Sequence, residues 1–130
     1  MFQLNRLFVL AATIAFSVVC SAQSLVKVVE NVEAIFYIKN DSIRRNGTTV
    51  EFWQITDFKQ PRPNKKGELY QSMDQRYVVD CSNATLTLAH IKVYSSNMGT
   101  GNLIASGSMS QKNQIVSGSS SEVIRNFVCN

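Results

Sequence analysis

The chain has 130 residues, 45% of them hydrophobic and 17% charged, with 13 Lys+Arg against 9 Asp+Glu, one histidine and a formal net charge of +4. That length suits one ordinary domain, and so small a basic excess does not predict a nucleic-acid partner, which calls for a concentrated cationic face. Residues 1–6 carry Arg6 and no acid, residues 7–19 are apolar except for Thr13 and Ser17, and Cys20-Ser21-Ala22 supplies small residues. This is the pattern of a secretory signal peptide, residues 1–22, cleaved between Ala22 and Gln23 to leave a mature domain of residues 23–130. Lipid attachment at Cys20 is the alternative, but Val19 stands where that chemistry wants a smaller residue. No later stretch reaches the ~20 apolar residues of a spanning helix, so the mature form is expected to have no transmembrane segment and to reside in the periplasm or at the cell surface.

Removing residues 1–22 takes away Arg6 and no acid, which leaves 12 Lys+Arg against 9 Asp+Glu and a formal charge of +3. So mild a basic balance fits acidic glycans or lipopolysaccharide as partners. Cleavage also removes Cys20, and the remaining pair, Cys81 and Cys129, is expected to form one disulfide in an exported chain. Two cysteines and one histidine build neither a four-ligand zinc cage nor a nucleophile with an obvious base. No metal and no cofactor is expected.

Residues 25–29 and 34–38 are rich in β-branched and aromatic side chains and read as strands, followed by a turn at Asn40-Asp41-Ser42. Arg45-Asn46-Gly47 supplies the positive-φ position of a tight hairpin, and residues 48–58 return as the strongest strand. There Val50 and Phe52 share one face while Trp53 and Ile55 share the other. One short helix can cover only one of those faces, so Phe52 and Trp53 mark a candidate self-association surface of a homodimer. Residues 59–67 hold two prolines, a glycine and the cations Lys59, Arg62, Lys65 and Lys66, with no acid among them. They are expected to form an exposed loop and a candidate polyanion-binding element.

Residues 70–73, 75–81, 84–94 and 103–108 follow as strands, with turns at Cys81-Ser82-Asn83 and residues 95–102. Such short connections predict meander order. Ser119-Ser120-Ser121-Glu122 has capping-box form, and behind it Val123, Ile124, Phe127 and Val128 fall on one helical face, with Arg125 and Asn126 outside. The expected fold is therefore α+β: a single antiparallel sheet of about six strands with a short C-terminal helix on one face, tied by the disulfide. So short a helix is marginal in water, which gives the covalent tie a physical purpose.

His90 is the only histidine and lies in a strand of alternating character, Asp57, Asp74 and Asp80 stand without partners at catalytic spacing, and no nucleophile elbow or phosphate loop is present. An enzyme is not expected. Asn46-Gly47-Thr48 and Asn83-Ala84-Thr85 match the glycosylation sequon but read as turns. Tyr37, Trp53 and Tyr94 leave room for a binder of a small apolar, haem-like ligand, and a structural or interaction protein of the periplasm is a further alternative.

The order Ile35-Phe36-Tyr37-Ile38-Lys39-Asn40-Asp41-Ser42-Ile43, a strand containing Trp53, a strand entering Cys81-Ser82-Asn83 and a short helix ending in Cys129 resembles the surface-adhesin protein E family of Gram-negative bacteria. The resemblance covers most of the mature chain. It implies about six antiparallel strands with the helix held on the concave face by the disulfide. It also implies a non-enzymatic outer-surface protein that binds host extracellular matrix proteins and forms a dimer.

Overall fold

The structure is a computed structural model that describes residues 12–18 and 24–130. The cleavage site expected at Ala22 and the lipid site considered at Cys20 lie outside the described residues. Residues 12–18 are exposed and belong to no helix or strand.

Among the described residues, seven strands form one antiparallel sheet: β1 (Leu25–Glu30), β2 (Ala34–Lys39), β3 (Arg44–Asn46), β4 (Thr49–Pro63), β5 (Leu69–Asp80), β6 (Thr85–Tyr94) and β7 (Leu103–Gln114), followed by one helix, α1 (Ser120–Cys129). The spatial order is β1-β2-β4-β5-β6-β7, and β3 also pairs with β4. β2 pairs with residues 54–58 of β4 and β3 with residues 49–51, so the two lie end to end along the same edge of β4. The expected six-row meander is present, with one row divided by a 3-10 turn at Asn40–Ser42.

Side chains set the turns. Asn31 Oδ1 accepts the amides of Glu33 and Ala34, each at 2.9 Å, and closes the β1–β2 connection. Gly47 stands at φ 61° in the β3–β4 hairpin, where a Cβ is disfavoured. Asp80 gathers the β5–β6 turn: its Oδ1 accepts from the Ser82 hydroxyl at 2.7 Å and from the Ser82 and Asn83 amides at 3.0 and 3.1 Å. Its Oδ2 accepts from the Asn83 side chain at 2.8 Å, so this sequon asparagine does serve as a turn residue.

Three expectations are corrected. Residues 70–73 and 75–81, expected as two strands, run as one, β5, because Asp74 continues the pairing opposite Ile55 and Lys92. β7 extends six residues beyond Ser108 to Gln114, since serine, glutamine and asparagine can still supply backbone to a solvent-exposed edge. Residues 59–67 are not a free loop: β4 continues to Pro63, Arg62 pairs with Tyr70, and the connection narrows to residues 64–68. A register irregularity after Asp57 and an edge position accommodate Pro61 and Pro63.

The core lies between α1 and the β2, β4 and β5 rows, where Ile38, Val50, Phe52, Val79, Ile124 and Val128 are buried together. Ser119 caps the helix by accepting the Glu122 amide at 3.3 Å. The reciprocal arm of the capping box lands one residue earlier than expected, with Glu122 Oε1 accepting the Gly118 amide at 3.3 Å. At the other end Arg45 donates to the carbonyls of Val128 at 3.0 Å and Cys129 at 3.2 Å, which α1 itself leaves without partners. The Cys81–Cys129 disulfide joins the end of β5 to the end of α1 across a sequence separation of 48. By chain-entropy reasoning a loop of that size stabilises the fold by about 4 kcal/mol.

The helix is narrower in its buried stripe than its sequence indicates. Only Ile124 and Val128 are sealed, while Val123 and Phe127, another i,i+4 pair, are 42% and 36% exposed. Arg125 is turned inward instead of outward, donating to the Cys81 carbonyl at 2.7 Å.

Candidate functional site

β4 is the strand on which every candidate surface meets. Its even residues from Val50 to Phe58 face α1 and its odd residues face the opposite, outer side of the sheet. Phe52, at 0% exposure, is sealed beneath the helix and stacks on Tyr77 with ring centroids 5.8 Å apart. Burial without a partner charge pushes the Tyr77 hydroxyl up to about 12. A self-association surface therefore cannot use Phe52, and of the expected pair only Trp53 reaches the outer face.

Beyond α1 the helix face continues as a cleft of about 250 Å³ walled by Phe36, Phe58, Met73 and Tyr77. Its floor is a polar network in which Thr56 donates to Gln75 Oε1 at 2.6 Å and Gln54 donates to Thr56 at 3.1 Å. All three residues are buried.

The β4–β5 hairpin overhangs the sheet. β2 pairs with β4 only as far as Phe58, and β6 pairs with β5 only as far as Ser72. The four expected cations are spread along this arm. Lys59 lies 3.9 Å from Glu30, and Arg62 lies 3.0 Å from Glu33 with its guanidinium 4.4 Å from the Phe58 ring centroid. Both acids come from the β1–β2 region, which is why the absence of acids within residues 59–67 did not reveal these pairs. Lys65 and Lys66 occupy the exposed tip and make no ion pair among the described residues. Asn64 shapes that tip by accepting the Lys66 and Glu68 amides at 2.9 Å each.

On the outer face the β6–β7 connection folds back across one end of the sheet. Asp57 accepts from the Asn97 side chain at 3.0 Å and the Met98 amide at 2.9 Å, and Ser72 accepts the Gly99 amide at 2.9 Å. This strap covers Ile55, which is 5% exposed, so the chain itself closes the Ile55 end of the second apolar face expected of β4. Gly101 is required in the strap: at φ 80°, a Cβ there would strike the side chains of Ser95 and Ser96.

The uncovered remainder of that face centres on Trp53. The ammonium groups of Lys39 and Lys92 lie 5.5 and 5.4 Å from its ring centroid, and His90 meets it edge-on at 5.8 Å. Lys39 also forms a 2.7 Å ion pair with Asp74, whose own residue is 8% exposed. Sequence reasoning left Asp74 without a partner because the lysine is 35 positions away and is brought across β4 only by the pairing of β2, β4 and β5. His90 has its Nδ1 at 3.2 Å from Ser108 Oγ and its Nε2 at 3.5 Å from Ser106 Oγ, contacts that fix the ring on the sheet. Tyr37, Trp53 and Tyr94 do not stack on one another; the aromatic contacts among the described residues are Phe52–Tyr77, Trp53–His90 and Phe58–Tyr70. No group of three His, Cys, Asp or Glu side chains suited to a metal is found among the described residues.

The chain thus presents a single antiparallel sheet, a helix stapled across one face, an overhanging cationic hairpin and a partly open outer face centred on Trp53. The family model for surface-adhesin protein E matches residues 25–130, and the chain belongs to that family. Solved structures of Haemophilus influenzae protein E share the fold. Crystal form II matches with a TM-score of 0.64 at 20% identity, covering 81% of this chain and 86% of that one. A second structure of the same protein gives 0.61 at 19% identity over 81% and 83%, and one from non-typeable Haemophilus influenzae gives 0.61 at 18% identity over 81% and 74%. A search of curated proteins finds no match. The family implies export to the cell surface, and no described helix is long and apolar enough to cross a membrane.

Proposed function

We propose that the protein is a non-enzymatic, exported adhesin that grips acidic polymers of the host matrix or cell envelope, such as sulfated glycans or lipopolysaccharide, through the β4–β5 arm. The observation that carries this reading is the overhang: an arm extending past its neighbouring strands, with Lys65 and Lys66 at an exposed tip. Lys59 and Arg62 add two more cations along the same arm. Their partners Glu30 and Glu33 are 37% and 64% exposed, and exposed pairs of this kind contribute little and exchange readily for a polyanion. Host matrix proteins bearing such polymers are the expected targets. Asp57, Asp80 and His90 support a non-enzymatic role, since each is engaged in a contact that shapes a strap, a turn or the sheet surface.

Retention on immobilised heparin tests this. The parent should bind at low salt and elute well below about 0.5 M, because exposed charges are screened within a few ångströms there. Lys65→Ser/Lys66→Ser should elute earlier with an unchanged melting temperature, and the further changes Lys59→Ser and Arg62→Ser should abolish retention. The double variant is the cleaner probe, since Arg62 also packs on Phe58. Equal retention of the parent and the quadruple variant would overturn the proposal.

A further inference from the structure

The cleft beside α1 differs in chemistry from the rest of the surface. The chain holds 13 Lys+Arg and 9 Asp+Glu, yet none of them lines this cleft or the cavity of about 220 Å³ that shares Tyr77 and Leu86 with it. Its polar lining consists of amides and hydroxyls alone. A charged ligand would lose its hydration there without meeting a counter-charge. The start of α1 borders the cleft at Ser120 and Ser121, but Glu122 already places a carboxylate in the first helical turn, so the helix end does not invite a second anion.

The floor carries the anomaly. On the helix-facing side of β4, Gln54 and Thr56 interrupt a row that is otherwise aromatic at Phe52 and Phe58, and Gln75 stands directly across from Gln54 on β5. Gln54 and Gln75 are only 3% and 7% exposed, and buried amides are costly unless bonded. Thr56 has one hydroxyl proton, so receiving from Gln54 and donating to Gln75 leaves one carbonyl and one amino group over. These are Gln54 Oε1 and Gln75 Nε2. Neither has a hydrogen-bond partner among the described residues, and the sealed polar atoms without partners lie elsewhere, on Asp74 and Arg125, so this pair opens on the cleft. Running the relay in the opposite direction would exchange the two groups and still present one acceptor beside one donor.

The walls are fixed before any ligand arrives. Phe58 is held edge-on by Tyr70 at 5.7 Å and by the Arg62 guanidinium at 4.4 Å, and Tyr77 is stacked on Phe52. Such locking spares a ligand the cost of ordering its site. A volume of about 250 Å³ lies below the range of drug-sized sites, which admits about one ring and excludes a macrocycle such as haem. A neighbouring acceptor and donor call for a ligand with a donor and an acceptor on one edge, which an amide supplies without charge. We propose that this cleft binds a small uncharged carboxamide carried on an apolar body of about one ring, its N–H donating to Gln54 Oε1, its carbonyl accepting from Gln75 Nε2 and its body lying among Phe36, Phe58 and Met73.

Three probes that share a ring and differ in the group it carries test this: benzamide, sodium benzoate and toluene, each titrated into the mature protein at neutral pH and matched ionic strength while NMR follows its backbone and side-chain amides. Benzamide should give saturable shifts centred on the Gln54 and Gln75 side-chain amides and on Met73. Toluene and benzoate should each bind at least about tenfold more weakly, the first because it displaces water from both amides and returns no hydrogen bond, the second because its carboxylate finds no counter-charge. Gln54→Met keeps the volume and the Thr56–Gln75 bond but removes the acceptor. It should weaken benzamide about tenfold and leave toluene as tight as before or tighter. Should that variant fail to fold, the ranking of the three probes on the parent decides alone. Equal affinity for toluene and benzamide would reduce the cleft to an apolar hollow, and tighter benzoate would make it an anion site. Either result overturns the proposal, as does no saturable response, a response centred elsewhere or an unchanged benzamide affinity in folded Gln54→Met.

Discussion

Phe52 and Trp53 are neighbours on one strand, yet they belong to opposite regimes. Phe52 faces α1, in a region closed by apolar packing, a disulfide and two arginines that reach backbone carbonyls at the ends of β5 and α1. Trp53 faces outward, among two lysines, a histidine and a buried ion pair. A sheet must bury one face to exist, and here that need is met by ten residues of helix held covalently in place. The other face is closed only where the β6–β7 strap crosses it, and elsewhere keeps charged groups that a core would reject. The contrast separates residues that make the fold from residues free to serve binding.

The sharpest test of that division substitutes the two neighbours in turn. Phe52→Ala should cost about 3–5 kcal/mol, since it empties a fully buried aromatic site beneath the helix. Trp53→Ala, from a half-buried position between the Lys39 and Lys92 stems, should cost clearly less, about 2 kcal/mol. Denaturant unfolding of both variants checks this. Comparable losses would mean that the outer face is a second core and not a recognition surface.

The disulfide comes next in size. Cys81→Ser or Cys129→Ser should cost about 4 kcal/mol, and each should free the thiol of its partner. The loss should be concentrated on the helix side: hydrogen exchange should speed up in α1 while the amides at the centre of β4 and β5 keep most of their protection. Uniform acceleration across the sheet would show that the helix and sheet unfold as one unit and that the staple is not local.

Much of this arrangement is legible from period and punctuation. The Asn46-Gly47 turn, the capping box at Ser119, the cysteine pairing and the meander all follow from local rules that act over a few residues or from simple counting. What escaped was set by topology. Glu30 and Glu33 reach Lys59 and Arg62 only because the β1–β2 turn lies beside β4, and Lys39 meets Asp74 only through two strand pairings. The inward turn of Arg125 likewise depends on where the turn after β5 places the Cys81 carbonyl. Prolines at 61 and 63 signalled a loop because proline cannot donate to a ladder, but the overhanging arm has open edges where no donor is needed. For the outer face around Trp53, the one signal in the sequence was charge at Lys39, Asp74 and Lys92 within strands otherwise patterned for burial.

The smallest effect concerns the turn that presents Cys81 to the helix. The Asp80 carboxyl is held down from the ordinary 3.8 to about 2, first by the Ser82 hydroxyl and then by the Asn83 side chain and amide, all donating to the charged form. A group whose folded value lies below its unfolded one stabilises the native state while ionised. Its contribution is complete above about pH 4 and is lost as pH falls toward 2. Asp80→Asn keeps one acceptor oxygen but no charge. It should therefore melt slightly below the parent at pH 6, and the difference between the two proteins should shrink steadily between pH 4 and pH 2. Other carboxylates titrate over the same range in both proteins and cancel in the difference. A gap that stays constant across that range would mean that the carboxylate charge contributes nothing and that the turn is held by the geometry of the oxygen alone.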